Sequence, residues 1–320
     1  MTGKSWIAFI WAVIRLAAPP AIIAWLVLAA GDGLALPSTI NLGWMIPALV
    51  LNEIALTLFG VRMQFLLSTL GVMLRWRDAF RVHLQSMFYF FIVPMTVGVE
   101  IARFAKIRAA LPGTPAKRIL PALLLDRMVG AGSGAMLAAV MWPFVQFDAA
   151  PWLDASTAAL WICLGGMAMI GGAVLIRRVR LAITEVIHAI LASWRRVSLI
   201  FVLSICMHVV FALGIYCAAQ AFLIDIALIE ILFAVAAGSL LVAIPVSLGG
   251  VGAADVTTVT IFVAMGHTLE QSILLGALPY LARLVGAVQG GVWEMLDGGA
   301  ESIARTRTLM RAGKAGAGET

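Results

Sequence analysis

The sequence predicts an all-α polytopic membrane protein: six transmembrane helices plus two re-entrant helical hairpins, arranged as two inverted-topology repeats. Three observations carry that expectation. Apolar blocks reach spanning length, basic residues are confined to particular loops, and one motif occurs twice.

Of the 320 residues, 62% are hydrophobic and 12% are charged, whereas a water-soluble chain carries about a quarter charged residues. The blocks are long enough for a hydrocarbon core, which a helix of about 20 residues crosses. Lipid offers the backbone no hydrogen-bond partners, so helices are the expected spanning elements. They are predicted at 11–30, 42–61, 119–147, 158–176, 198–220 and 272–296. Two further apolar regions, 79–108 and 228–266, are broken near their middle by Pro and Gly. The N-terminal stretch contains Arg15 and Pro19-Pro20 and lacks a small-residue cleavage site, so it reads as an uncleaved helix.

The net charge of +6 is distributed as a membrane protein distributes it, in short clusters between apolar blocks. Arg62, Arg75, Arg77 and Arg81 follow the second helix, and Arg103, Lys106, Arg108, Lys117 and Arg118 follow the first broken region. Arg177, Arg178, Arg180, Arg195 and Arg196 form a central loop. Residues 297–320 read as a basic, flexible cytoplasmic tail. Segments 31–41, 148–157 and 221–227 contain no Lys or Arg. All basic clusters share one side only if each broken region enters and leaves on the same face. The expected placement is therefore a multi-pass protein of the bacterial cytoplasmic (inner) membrane, with N- and C-termini cytoplasmic. One membrane domain, 1–320, would contain repeat one (11–147) and repeat two (158–296).

The repeat is visible in residues. The first hairpin turns at Pro94-Met95-Thr96-Val97-Gly98-Val99-Glu100, the second at Pro245-Val246-Ser247-Leu248-Gly249-Gly250, with Asp255 just beyond. Then follow Arg127-Met128-Val129-Gly130, ending at Gly134, and Arg283-Leu284-Val285-Gly286, ending at Gly290. Both read Arg-apolar-Val-Gly-Ala-x-x-Gly. Two inverted repeats with broken helices are a construction of secondary transporters, whose sites lie near the bilayer midplane.

Together with Arg62, Arg103, Asp126 and Gly252, these positions resemble the flippase-like family, also known from the transmembrane region of lysylphosphatidylglycerol synthase. The resemblance spans roughly residues 10–300. Val99 stands where that family often has a second glycine, and Asp255, slightly displaced, where it has a Glu. Two-domain members add an aminoacyl-transferase domain, for which residues 297–320 leave no room. The resemblance thus implies a stand-alone membrane domain that handles lipid and synthesises no aminoacylated lipid.

The candidate lipid-binding residues are Glu100, Arg103, Arg127, Asp255, Arg283, Gly98, Gly249, Gly250, Asn52 and Glu53, with Pro94 and Pro245 as hairpin breaks. Glu100 and Asp255 begin the returning arms, where helix N-termini attract a phosphate. The alternative is that they only stabilise those helix starts, with Thr96 and Ser247 as caps. Arg127 and Arg283 lie too deep to reach water and should face a cavity or an acid. They would either receive an anionic head group or hold fixed ion pairs with Glu100 and Asp255. Arg103 could pair with Glu100 or anchor the cytoplasmic face, while Arg62 reads as an interfacial anchor. The glycines at 130, 134, 286 and 290 read as close-packing faces against the hairpins.

Cys163, Cys206 and Cys217 show no metal or redox spacing, and the four histidines are scattered. No catalytic constellation, metal site or cofactor is expected. The function expected is a lipid flippase or transporter for an anionic phospholipid, a polyprenyl-phosphate or a glycolipid, with no nucleic-acid partner. The alternatives are a membrane-embedded enzyme of lipid metabolism and a non-transporting partner of a lipid-modifying or glycosyl-transferring enzyme. A homo-oligomer is compatible with all three.

Overall fold

The computed structural model describes residues 40–92, 97–147, 177–241, 247–248, 251–299 and 301–303. The elements are α1 (Leu42–Thr69), α2 (Trp76–Ile92), α3 (Val97–Ala110), α4 (Ala116–Met141), α5 (Arg177–Ala192), α6 (Trp194–Ala221), α7 (Leu228–Leu241), α8 (Ala253–Ala264) and α9 (Leu269–Leu296). The described elements are helical apart from a two-residue antiparallel ladder, Ser247 with Gly252 and Leu248 with Val251. The predicted helices at 11–30 and 158–176 lie outside the described residues, as do Pro94, Pro245, Gly249 and Gly250.

Length separates the helices into two kinds. The segments Leu42–Thr69, Arg118–Phe144, Trp194–Ala221 and Leu269–Leu296 are long and apolar enough to cross a membrane. At 28 residues, α1 is about 42 Å long, against about 30 Å of hydrocarbon. The other apolar helices come as two folded-back pairs, α2 with α3 and α7 with α8. The described parts of their arms, of 17, 14, 14 and 12 residues, span about 18–26 Å.

Two expectations need correction. The helix predicted at 42–61 continues to Thr69, because nothing from Arg62 onward breaks it until Gly71, whose φ is +74°. Arg62 is therefore inside a helix and not at its end. The basic central loop is also largely a helix, α5, followed directly by α6.

The contacts repeat when the two halves are exchanged. The long helices α1 and α6, one in each half, pack along each other and run antiparallel. The Asn41 amide bonds to the Ala221 carbonyl at 2.9 Å at one end, and Arg62 reaches Ser204 toward the other. A two-fold axis crossing such a pair demands that direction. The closing helix of each half then packs on the first arm of the other half's hairpin: α4 on α7, and α9 on α2. The repeats are interlocked.

Glycines make that interlock close. A Cβ on Gly134 would overlap Ser239 Oγ and come within 3.0 Å of the Ala236 carbonyl oxygen, while one on Gly290 would overlap the Leu84 carbonyl. Between lipid-immersed helices the hydrophobic effect gives little drive, so backbone approach and van der Waals contact hold the pair. The largest apolar cluster joins α4, α6, α7, α8 and α9 through residues such as Ile215, Phe233, Phe262 and Leu275. A second gathers Met63, Leu67, Val82, Ile107 and Ile119 at the base of the first hairpin.

At Gly290 the obstructing atom is backbone and cannot swing aside. Gly290→Ala is expected to destabilise the fold by about 1–3 kcal/mol, the usual cost of overpacking. Thermal unfolding in detergent measures this. Gly132→Ala, whose Cβ would meet only a Phe201 ring carbon at 3.4 Å, should leave the midpoint nearly unchanged.

Candidate functional site: a buried arginine–carboxylate network

The returning arm α3 carries Glu100 in its first turn, and α8 carries Asp255 in its first turn. Each acid pairs with the arginine of its own repeat's closing helix. Glu100 Oε1 accepts from Arg127, at 2.9 Å from Nε and 2.7 Å from Nη2. Asp255 Oδ1 accepts from Arg283 Nη2. The duplicated motif thus places two equivalent ion pairs, one per repeat.

Repeat one builds a larger network on its pair. Arg103, one turn after Glu100, donates Nη1 to Glu100 Oε1 and to Asp126 Oδ2, each at 3.2 Å. Its Nε reaches Ser86 Oγ at 3.2 Å, and its Nη2 lies 3.1 Å from His83 Nδ1. Because a guanidinium only donates, Nδ1 accepts, which puts the His83 proton on Nε2. The other oxygen of Asp126, Oδ1, accepts from Arg62 Nε and lies within 3.0 Å of Nη2. Arg62 Nη1 continues to Ser204 Oγ on α6 at 3.4 Å. Five charged groups from α1, α3 and α4 meet, three cationic and two anionic, leaving a formal excess of one positive charge.

Accessibility divides their roles. The side chains of Arg62, Asp126 and Arg103 are 6%, 5% and 9% exposed, whereas Glu100 and Arg127 are 21% and 28% exposed. In repeat two, Asp255 and Arg283 are 11% and 24% exposed. The Arg62–Asp126–Arg103 side is therefore closed structure, and the accessible cations are Arg127 and Arg283. Glu100 concentrates both of its arginine contacts on Oε1, and its Oε2 is buried without a hydrogen-bond partner. Both arginines thus bind Glu100 through one oxygen and leave the other unused.

The expected residues divide accordingly. Glu100, Arg103 and Arg127 come together; Asp255 and Arg283 form the equivalent pair; Gly98 lies in the first turn of α3. Asn52 and Glu53 are not in the network. They reach the second closing helix, Asn52 Nδ2 to the Ala282 carbonyl at 3.5 Å and Glu53 Oε1 to Gln289 at 2.5 Å. Arg62 is corrected from interfacial anchor to buried network member, since α1 carries it past its predicted end and α6 covers it. Sequence reasoning missed His83 and Ser86, which lie among other polar residues of α2, and Ser204, an isolated polar residue in apolar α6. His208, 3.3 Å from the Gly130 carbonyl, was missed for the same reason.

A model of the family described as lysylphosphatidylglycerol synthase TM region matches residues 9–287. The chain belongs to that family. No curated protein and no solved structure matches it. As a member of the lysylphosphatidylglycerol synthase transmembrane-region family with several apolar helices, it is a multi-pass membrane protein, a membrane domain related to lipid handling. Among its described residues, no group of three His, Cys, Asp or Glu side chains gathers as a metal site would require.

Asp126 is the only carboxylate within salt-bridge reach of Arg62 among the described residues. Asp126→Ala is expected to cost about 3–5 kcal/mol, because it leaves two buried guanidinium groups without that counter-ion. Glu100→Gln, at the accessible side, should cost far less. Thermal unfolding of the two purified variants distinguishes these outcomes.

Proposed function

We propose that this chain is a lipid flippase, or more broadly a lipid transporter. It moves an anionic or phosphate-linked head group past the network while the lipid chains stay in the bilayer. The observation that carries the reading is the positive excess held inside the helix bundle, with Arg127 accessible at one side of it. Ionisable groups at membrane depth are costly, and their use is commonly a substrate path. The protein acts by binding and moving lipid, with no chemical step.

In this reading the two folded-back pairs are re-entrant hairpins entering from opposite faces of the cytoplasmic membrane, with both termini on the cytoplasmic side. The two folded-back pairs, the antiparallel α1 and α6 and the distribution of basic residues support it. An arriving phosphate replaces Glu100 on Arg127 and Arg103, since a guanidinium fork fits a phosphate as well as a carboxylate. Arg283 and Asp255 offer the same exchange in the other repeat, giving the head group a second station. An anionic phospholipid, a polyprenyl-phosphate and a phosphate-bearing glycolipid all present the required oxygens.

Translocation of labelled lipids by the protein in sealed vesicles tests the proposal. Arg127→Ala and Arg283→Ala are each expected to slow transport at least about tenfold, the kinetic equivalent of about 1.4 kcal/mol, at a temperature where unfolding measurements show each variant folded. Equal rates for folded wild type and variants would contradict it. A chemically altered lipid would point to an enzyme instead. Absence of transport together with a tight complex with a lipid-modifying enzyme would point to a docking partner.

A further inference from the structure

The helix α5 has a composition unusual for a connector. Five arginines, Arg177, Arg178, Arg180, Arg195 and Arg196, fall at the starts of α5 and α6. In the first turn of α6, which Ser193 precedes, the positive end of the helix dipole disfavours Arg195 and Arg196. An anionic partner outside the chain would offset that cost.

An apolar stripe accompanies the charge. Ile187 and Leu191 are 47% and 69% exposed one helical turn apart on α5, Trp194 at the start of α6 is 60% exposed, and no other described element covers them. On its other side α5 is docked: Val186 is fully buried against Leu66, Leu125, Val129, Val197 and Ile200. The chain breaks at Ser193, with φ −132° and ψ 33°, and α6 then runs for 28 residues, enough to cross a bilayer alone. With α6 long enough to cross alone, α5 is not needed as a span, and its exposed Ile187 and Leu191 suit a lipid boundary better than water.

We infer that α5 is an interfacial helix that lies on an anionic lipid leaflet, its apolar stripe in the boundary region and its arginines among the phosphates. Basic amphipathic helices bind this way, with the apolar face about 5–10 Å into the head-group boundary. Arginine clusters beside a membrane favour acidic lipids. The footing bears on the network, because Leu125 and Val129 flank Asp126 and Arg127 on α4, and Leu66 lies one turn beyond Arg62 on α1. A leaflet that seats α5 presses Val186 against the helices holding the Arg62–Asp126 pair. The inference requires a membrane-embedded bundle and does not depend on translocation.

Depth measurement by spin label tests it. Nitroxides are placed singly at Ile187→Cys, Leu191→Cys and, on the spanning helix, Leu199→Cys, in full-length protein whose native cysteines are replaced by Ala. Vesicles contain phosphatidylcholine alone or an equal mixture with phosphatidylglycerol. Oxygen and a water-soluble nickel chelate report the depth. Labels at 187 and 191 are expected at one shared shallow depth, above 199, and should shift deeper in the anionic vesicles. Arg177→Gln, Arg178→Gln and Arg180→Gln combined should abolish that shift. Chelate-exposed labels at 187 and 191 in both vesicles would overturn the inference. So would depth changing steadily from 199 through 191 to 187, or depth indifferent to anionic lipid.

Discussion

The structure turns on Asp126. One of its oxygens holds Arg62 of α1 and the other holds Arg103 of α3, so a single carboxylate on α4 ties three helices together. Removing charges from water is expensive, and a buried pair persists where its hydrogen bonds are complete and its geometry is fixed. Arg62 and Arg103 complete theirs with Ser204, Ser86 and His83. This closed half lets the accessible half stay loose. Glu100 shares Arg103 with Asp126, so Arg103 keeps a buried counter-ion when Glu100 is released.

The interlock of the repeats sets what can move. Each closing helix packs on the other repeat's hairpin and forms an ion pair with its own repeat's hairpin. A shift of either hairpin is therefore felt by both halves. One end of the first hairpin is held further: Lys106 pairs with Glu294 and bonds Ser302 at 3.0 Å, and Arg81 and Gln85 both reach Asp297. The residues just after α9 are thus bound to the bundle. The expected tail at 297–320 departs from a flexible segment at its start, where Ile303 packs with Phe88, Tyr89 and Ala102.

What could be read from the sequence follows from what repeats. The duplicated arginine motif identified Arg127 and Arg283, and the two broken apolar regions located Glu100 and Asp255. In the structure these four make the two equivalent pairs. The spanning helices 119–147, 198–220 and 272–296 were legible because hydropathy over twenty residues is a strong signal. Arg62 was misplaced because a helix end inferred from a charge is a guess about whether that charge seeks water. Here Asp126 and Ser204, distant in sequence, satisfy it internally. The α5 helix was read as loop because its arginines outweighed a short amphipathic period. The histidine and serine partners are specified only by three-dimensional proximity.

The account's central claim is that an anionic head group takes the place of Glu100 on Arg127 and Arg103. The most direct measurement is an electron cryomicroscopy structure of the protein in nanodiscs of anionic phospholipid. The account predicts density for a phosphate within hydrogen-bond reach of Arg127, with Glu100 turned away and the Arg62–Asp126 pair intact. Phosphates confined to the outer belt of lipid, with Glu100 still bound to both arginines, would contradict it.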